Sequence, residues 1–150
     1  MNTVAADFRD MPEPAWLDAA AAFAVKAIDA IGEDSWDLSL YFCGDEFMAG
    51  LNAEYRGKEG PTDVLSFTLG EWVDGENGRR YIAGDVVICL PVLERNAVEF
   101  GVSQNEELKR LIMHGVLHLS GLDHATNGPD EPMLARQESL LLTLSEEKIF

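Results

Sequence analysis

Residues 113–125 constrain this chain more than any other stretch. They contain all three of its histidines, in the run His114-Gly115-Val116-Leu117-His118-Leu119-Ser120-Gly121-Leu122-Asp123-His124. Histidines at i and i+4 leave a helix from consecutive turns of one face, so the first two imidazoles can converge. A third ring further along the same straight helix would rotate away. The chain therefore has to turn back, and Gly121, three residues after His118, allows a left-handed stop at little steric cost. A fold that obeys this segment has a helix along a cleft, ended sharply, with a return loop that carries His124.

The start of that helix is equally legible. Ser103-Gln104-Asn105-Glu106 is a capping box, and Leu108, Leu111, Ile112, Val116 and Leu119 follow it at helical spacing. At ~100° per residue the histidines lie beside this apolar stripe, where they would flank a cleft wall.

Histidines at 0, +4 and +10 with glycine at +7 have the spacing of the metzincin metal site. Three neutral imidazoles suit one divalent ion, zinc first, with nickel or another first-row metal as alternatives. Three ligands leave a coordination position open, the catalytic rather than the structural arrangement. Such an ion can polarise a phosphoryl oxygen or lower the pKa of bound water to ~7. The peptidase motif H-E-x-x-H places its general base directly after the first histidine. Here that position is Gly115, so peptide hydrolysis loses support. Asp123 is near enough to substitute, or it is a turn carboxylate beside His124.

The remaining pattern mixes helices and strands. Helices are expected over 14–31, 45–55, from Pro91 to just before Gly101, and over 130–144, where Met133, Leu134, Gln137, Leu140 and Leu141 recur. Strands are expected over 36–43, 64–69 and 81–90. Asp74-Gly75 and Asn77-Gly78 make the last two antiparallel hairpin neighbours, and Asn127-Gly128-Pro129 is a further turn. The fold class is α/β (α+β): a small mixed sheet of about four strands with about five helices, the histidine-bearing helix central. At 150 residues, one domain spanning 1–150 is expected.

Cys43 and Cys89 lie far apart in apolar runs, which reads as two buried reduced thiols. Residues 1–10 lack the features of a signal peptide, and no apolar stretch is long enough to span a bilayer, so a cytoplasmic location is expected. The net charge of −16 argues, taken alone, against a nucleic-acid partner. Positive charge is nevertheless paired, in Arg56 with Lys58, Arg79 with Arg80, and Lys109 with Arg110; a solvated surface accounts for each pair as simply.

The histidine segment resembles the signature of the YbeY family of bacterial endoribonucleases, H-G-x-L-H-L-x-G-x-D-H, at every fixed position. Residues 52–67, Asn52-Ala53-Glu54-Tyr55-Arg56-Gly57-Lys58-Glu59-Gly60-Pro61-Thr62-Asp63-Val64-Leu65-Ser66-Phe67, resemble the family's N-x-x-Y-R-x-K-x-x-P-T-D-V-L-S-F block. Gly84-Asp85-Val86 and residues 133–141 resemble further family positions. Thr68 departs from a common proline and Leu122 from a common aromatic residue. The resemblance implies a metal-dependent endoribonuclease specific for single strands. It implies work in ribosomal RNA processing, notably at the small-subunit 3′ end, and in ribosome quality control, with the small subunit and assembly proteins as partners. It also implies that Arg56 is important for activity, as a phosphate clamp whose guanidinium offers a two-pronged fork. Lys58 would add a second charge. Thr62, Asp63 and Ser66 open a strand that either lines the same cleft, with Ser66 touching substrate, or serves turn and strand structure alone, and Arg79 and Arg80 could reach RNA backbone from the hairpin. The rival readings are a zinc peptidase with its base recruited elsewhere and a metal-bearing assembly factor without turnover.

Overall fold

The computed structural model describes residues 1–76, 78–128 and 130–150. Asn77 and Pro129, which belong to two of the turns read above, lie outside the described residues. In chain order the elements are β1 (Thr3–Arg9), α1 (Leu17–Ala30), β2 (Trp36–Cys43), α2 (Asp45–Arg56), β3 (Val64–Gly75), β4 (Gly78–Cys89), α3 (Leu90–Phe100), α4 (Gln104–Leu119) and α5 (Pro132–Thr143). This is the expected α/β architecture of four strands and five helices.

The sheet order is β1-β2-β4-β3. β1 with β2, and β2 with β4, run parallel, whereas β3 and β4 form the antiparallel hairpin that the glycine turns implied. β2 and β4 are the central strands, and Leu38, Leu40, Phe42, Val86 and Ile88 are buried on them. β1 was not anticipated, although Val4, Ala6 and Phe8 alternate inward along it.

Two local features decide where the cleft lies. Gly84 has φ +138°, and a Cβ there would meet the Phe67 carbonyl oxygen at 2.0 Å. Only glycine fits, and the register of the hairpin slips beside it, between Thr68 and Glu71. β3 thus has a first stretch, 64–68, against the body of the protein and a second that projects with Leu69, Trp72 and Val73 exposed.

The second feature is α4. Ser103 Oγ accepts from the Glu106 amide at 3.0 Å, one half of the expected capping box. Ten of its sixteen residues are buried, so it is the central helix of the fold rather than a surface one. It packs on the sheet so closely that a Cβ at Gly115 would lie 2.6 and 2.8 Å from the two methyls of Val86. Lys109, read as half of a charged surface pair, is buried instead. Its ammonium donates to the carbonyls of Leu144 and Glu147 at 2.8 Å each, which fastens the chain after α5 to α4. Among the described residues no helix is long and apolar enough to cross a membrane. Cys43 and Cys89 are free and buried, as expected.

Candidate metal centre

The site begins where α4 stops. The Gly121 amide donates to the His118 carbonyl at 3.0 Å and the Leu122 amide to the Leu117 carbonyl at 3.2 Å, with Gly121 at φ +104°. These two bonds are a Schellman stop, and the positive φ is why glycine is needed there. The stop turns the Leu122 carbonyl back over the helix, where it accepts from His118 Nδ1 at 3.0 Å. That bond uses only main chain at Leu122, so the departure from an aromatic residue there leaves it intact.

The return loop then brings in His124, whose Nδ1 donates to the Thr126 carbonyl at 2.8 Å. His114 Nδ1 is bonded to Gln137 Oε1, from α5, at 2.7 Å. All three Nδ1 atoms are therefore engaged on the outside, and the three Nε2 atoms are left to face one another. Ring centroids are 4.6, 5.1 and 5.4 Å apart, and the donor atoms lie within 4.8 Å of one another. His114 Nε2 and His118 Nε2 are 3.1 Å apart. With hydrogen on both Nδ1 atoms, neither Nε2 can donate to the other, and two lone pairs face at contact distance. A cation between them relieves that repulsion. The spacing is close to the ~3.3 Å edge of a tetrahedron with zinc–nitrogen bonds of about 2.0–2.1 Å. Outer acceptors on the second ring nitrogen are the usual support of metal-binding histidines. Burial also holds His114 and His118 below the ordinary imidazole pKa, which keeps them neutral. The residues fit a divalent ion.

The histidines open into a cleft of about 1450 Å³ between α4, the first stretch of β3, the end of α2 and the return loop. Arg56, Thr62, Asp63, Ser66 and Asp123 all line it. Arg56 is the last residue of α2, stopped by Gly57 at φ +64°. It is exposed, forms no ion pair among the described residues, and lies close enough to His118 for its charge to lower that imidazole's pKa further. Ser66 likewise makes no side-chain hydrogen bond among the described residues. Asp63 is committed to structure: its carboxylate accepts from the Val64 amide at 2.8 Å and from Asn96 at 3.3 Å. Asp123 accepts from the His124 amide at 2.8 Å, the turn role weighed for it above.

Other residues stand elsewhere. Lys58 is exposed on the loop after α2 and is not part of the lining. Arg79 lies over the Trp72 ring on the hairpin. Arg80 is bound to Asp37 at 2.7 Å, to the Trp36 carbonyl at 2.8 Å and to the Met1 carbonyl at 2.7 Å, a clamp on the start of β1 and β2. Sequence reasoning missed Gln137 as a site residue. Its one signal was a polar side chain at an otherwise apolar position of α5. The cleft's exposed aromatic rings, Tyr55 and Phe100, were also unassigned.

Residues 9–145 match the family described as Endoribonuclease YbeY. The chain belongs to the YbeY family. Among YbeY relatives, a protein of Treponema denticola named endoribonuclease YbeY is 44% identical, over 99% of this chain and 97% of its own length. The namesake of Treponema pallidum is 41% identical over 94% and 89%, and that of Aquifex aeolicus 44% identical over 78% and 75%. The solution structure of a Thermotoga maritima protein covers 97% of this chain and 91% of its own, with a TM-score of 0.61 at 23% identity, and so shares the YbeY fold seen here.

Proposed function

We propose that this chain is a single-domain, metal-dependent endoribonuclease that cuts single-stranded RNA in ribosomal RNA processing, at the small-subunit 3′ end, and in ribosome quality control. It would work in the cytoplasm with the small ribosomal subunit and its assembly proteins. The observation that carries this reading is the convergence of three imidazole Nε2 atoms on one point of an open cleft, with the uncommitted guanidinium of Arg56 beside them.

His114, His118 and His124 would hold the ion, zinc by donor type. When bound, it supplies Lewis acidity at a phosphoryl oxygen. Arg56 clamps the phosphate with its fork and balances the charge that develops during displacement. Ser66, whose hydroxyl has no partner among the described residues, stands on the β3 wall, and Lys58 attracts the chain from outside the cleft. Tyr55 and Phe100, 60% and 61% exposed, are faces on which unpaired bases can stack. A duplex keeps its bases stacked on one another, so such faces favour single strands. The peptidase alternative is opposed by more than the missing glutamate. Gly115 faces Val86 with no room for a Cβ, so a carboxylate there would be directed into the sheet and not into the cleft.

The test is incubation of the purified protein with single-stranded RNA, duplex RNA and casein, with and without chelator. Chelator-sensitive loss of the single-stranded substrate alone is expected, and Arg56→Ala should lower that rate about 100-fold while sparing metal content. Undiminished cleavage by the variant would remove Arg56 from the chemistry, and chelator-insensitive cleavage would sink the metal-dependent reading.

A further inference from the structure

The three histidines do not receive equivalent outer partners. His118 and His124 donate to main-chain carbonyls, of Leu122 and Thr126. A carbonyl can only accept, so those two rings must carry hydrogen on Nδ1 and present a lone pair at Nε2. His114 instead faces a side-chain amide, which has an accepting end and a donating end. If Gln137 turned its NH2 group to His114, the ring would place its hydrogen on Nε2, where a cation has to bind.

What prevents this lies one bond further out. Glu138 Oε2 is 3.0 Å from Gln137 Nε2, and a carboxylate accepts only, so the NH2 end is drawn to it and Oε1 is left for His114. Glu138 in turn is gripped by Arg110, with Nε and Nη2 at 3.0 and 2.9 Å from its two oxygens. Arg110 also lies 3.7 Å from the buried carboxylate of Glu107. Arg110 and His114 are one turn apart on α4, and Gln137 and Glu138 are neighbours on α5. The two helices thus close a circuit whose donor and acceptor sense is determined at every step.

We propose that Arg110, Glu138 and Gln137 form a positioning relay that fixes the tautomer and orientation of His114 for cation binding. The inference rests on the reading that the three histidines hold a cation, and the relay acts through His114 rather than on substrate.

Two measurements on the full chain test it. The first is zinc affinity by competition with a chromophoric chelator. Gln137→Met, of similar length but without the acceptor, should bind zinc about 10–100-fold more weakly, the usual cost of losing an outer partner. Glu138→Ala, at a half-exposed position that leaves the core intact, should weaken zinc several-fold because the amide is then free to turn. The second is the imidazole nitrogen NMR spectrum of the zinc-free protein at alkaline pH. Wild-type His114 should show hydrogen on Nδ1, and both variants a shift toward hydrogen on Nε2, a change that a merely structural role would not produce. Should Gln137→Met fail to fold, Glu138→Ala carries both readouts. Wild-type zinc affinity in a folded variant, or hydrogen on Nε2 of His114 in the wild type, would overturn the relay. If the wild type and His118→Ala bind zinc equally poorly, the cation reading fails instead, while the NMR result still decides the relay.

Discussion

The two halves of the histidine cluster are built in opposite ways. His114 and His118 stand on α4, where Leu111, Ile112, Met113, Val116, Leu117 and Leu119 are buried around them. His124 stands in the return loop, where Gly121, Leu122 and Asp123 before it and Ala125, Thr126 and Asn127 after it are all exposed. The loop is held by local hydrogen bonds: Asp123 to the His124 amide, His124 Nδ1 to Thr126, and Thr126 to Glu131 through both amide and hydroxyl. In the helix half, ligand position and core packing are one quantity. In the loop half they are separable, because little apolar surface is at stake.

The largest expected effect separates the halves directly. His124→Ala removes a nitrogen donor and should weaken zinc binding beyond the ~10–100-fold typical of an outer partner. Its metal-free stability should fall by no more than about 1 kcal/mol, the loss of one hydrogen bond to Thr126 at a half-buried position. Chelator competition and urea denaturation measure the two quantities; a large stability loss would show that the loop is not independent.

Next is Gly115→Ala in the helix half. In an unobstructed helix the change would gain about 1 kcal/mol. Against Val86 the added methyl has no room, and a loss of about 1–3 kcal/mol is expected, with weaker zinc binding as α4 shifts. A stabilised variant would show that helix and sheet can part freely.

The smallest effect concerns Glu107, whose side chain is buried on α4 with Oε1 lacking a hydrogen-bond partner among the described residues and with Arg110 no nearer than 3.7 Å. Burial raises its pKa. A raised carboxyl pKa opposes folding above the unfolded-state value, and this penalty fades as pH falls through the folded-state pKa toward the unfolded one. Glu107→Gln should therefore raise stability at pH 7 by roughly 1 kcal/mol. The gain should shrink on acidification to about pH 3, well below the ~4.3 of an unfolded-state Glu, where the carboxyl is protonated in both states. Denaturation midpoints across that range check it, and a gain independent of pH would rule out relief of a buried charge.

The helix half was also the half most legible in sequence. The bounds of α4 follow from Ser103 and Gly121, because a cap and a left-handed stop are local chemistry. The hairpin of β3 and β4 was readable for the same reason. Parallel pairing of β2 with β1 and β4 was not, because it depends on segments far apart in the chain, and periodicity states which face is buried without naming the neighbour. Val4, Ala6 and Phe8 in β1 do not stand out in sequence, because Ala5 blurs the alternation and only Asp7 and Arg9 mark the outward face. The same limit hid Gln137: its place on an apolar stripe was visible, but the imidazole it meets lies 23 residues away. Lys109 and Arg80 looked like solvated charge, because a sequence does not reveal which carbonyls a cation will reach.

The sheet's outer margin bears on the chain's strong acidity. Among the described residues β3 pairs only with β4, and residues 64–68 form one wall of the cleft. A strand with a single neighbour turns alternate N–H groups outward without ladder partners. The Val64 amide is already held by the Asp63 carboxylate, so the outward amides left on this wall, that of Ser66 foremost, would be uncharged donors to a phosphate oxygen. A polyanion laid along this wall would be met by peptide dipoles, so a protein with net charge −16 can receive it without a lysine-rich surface.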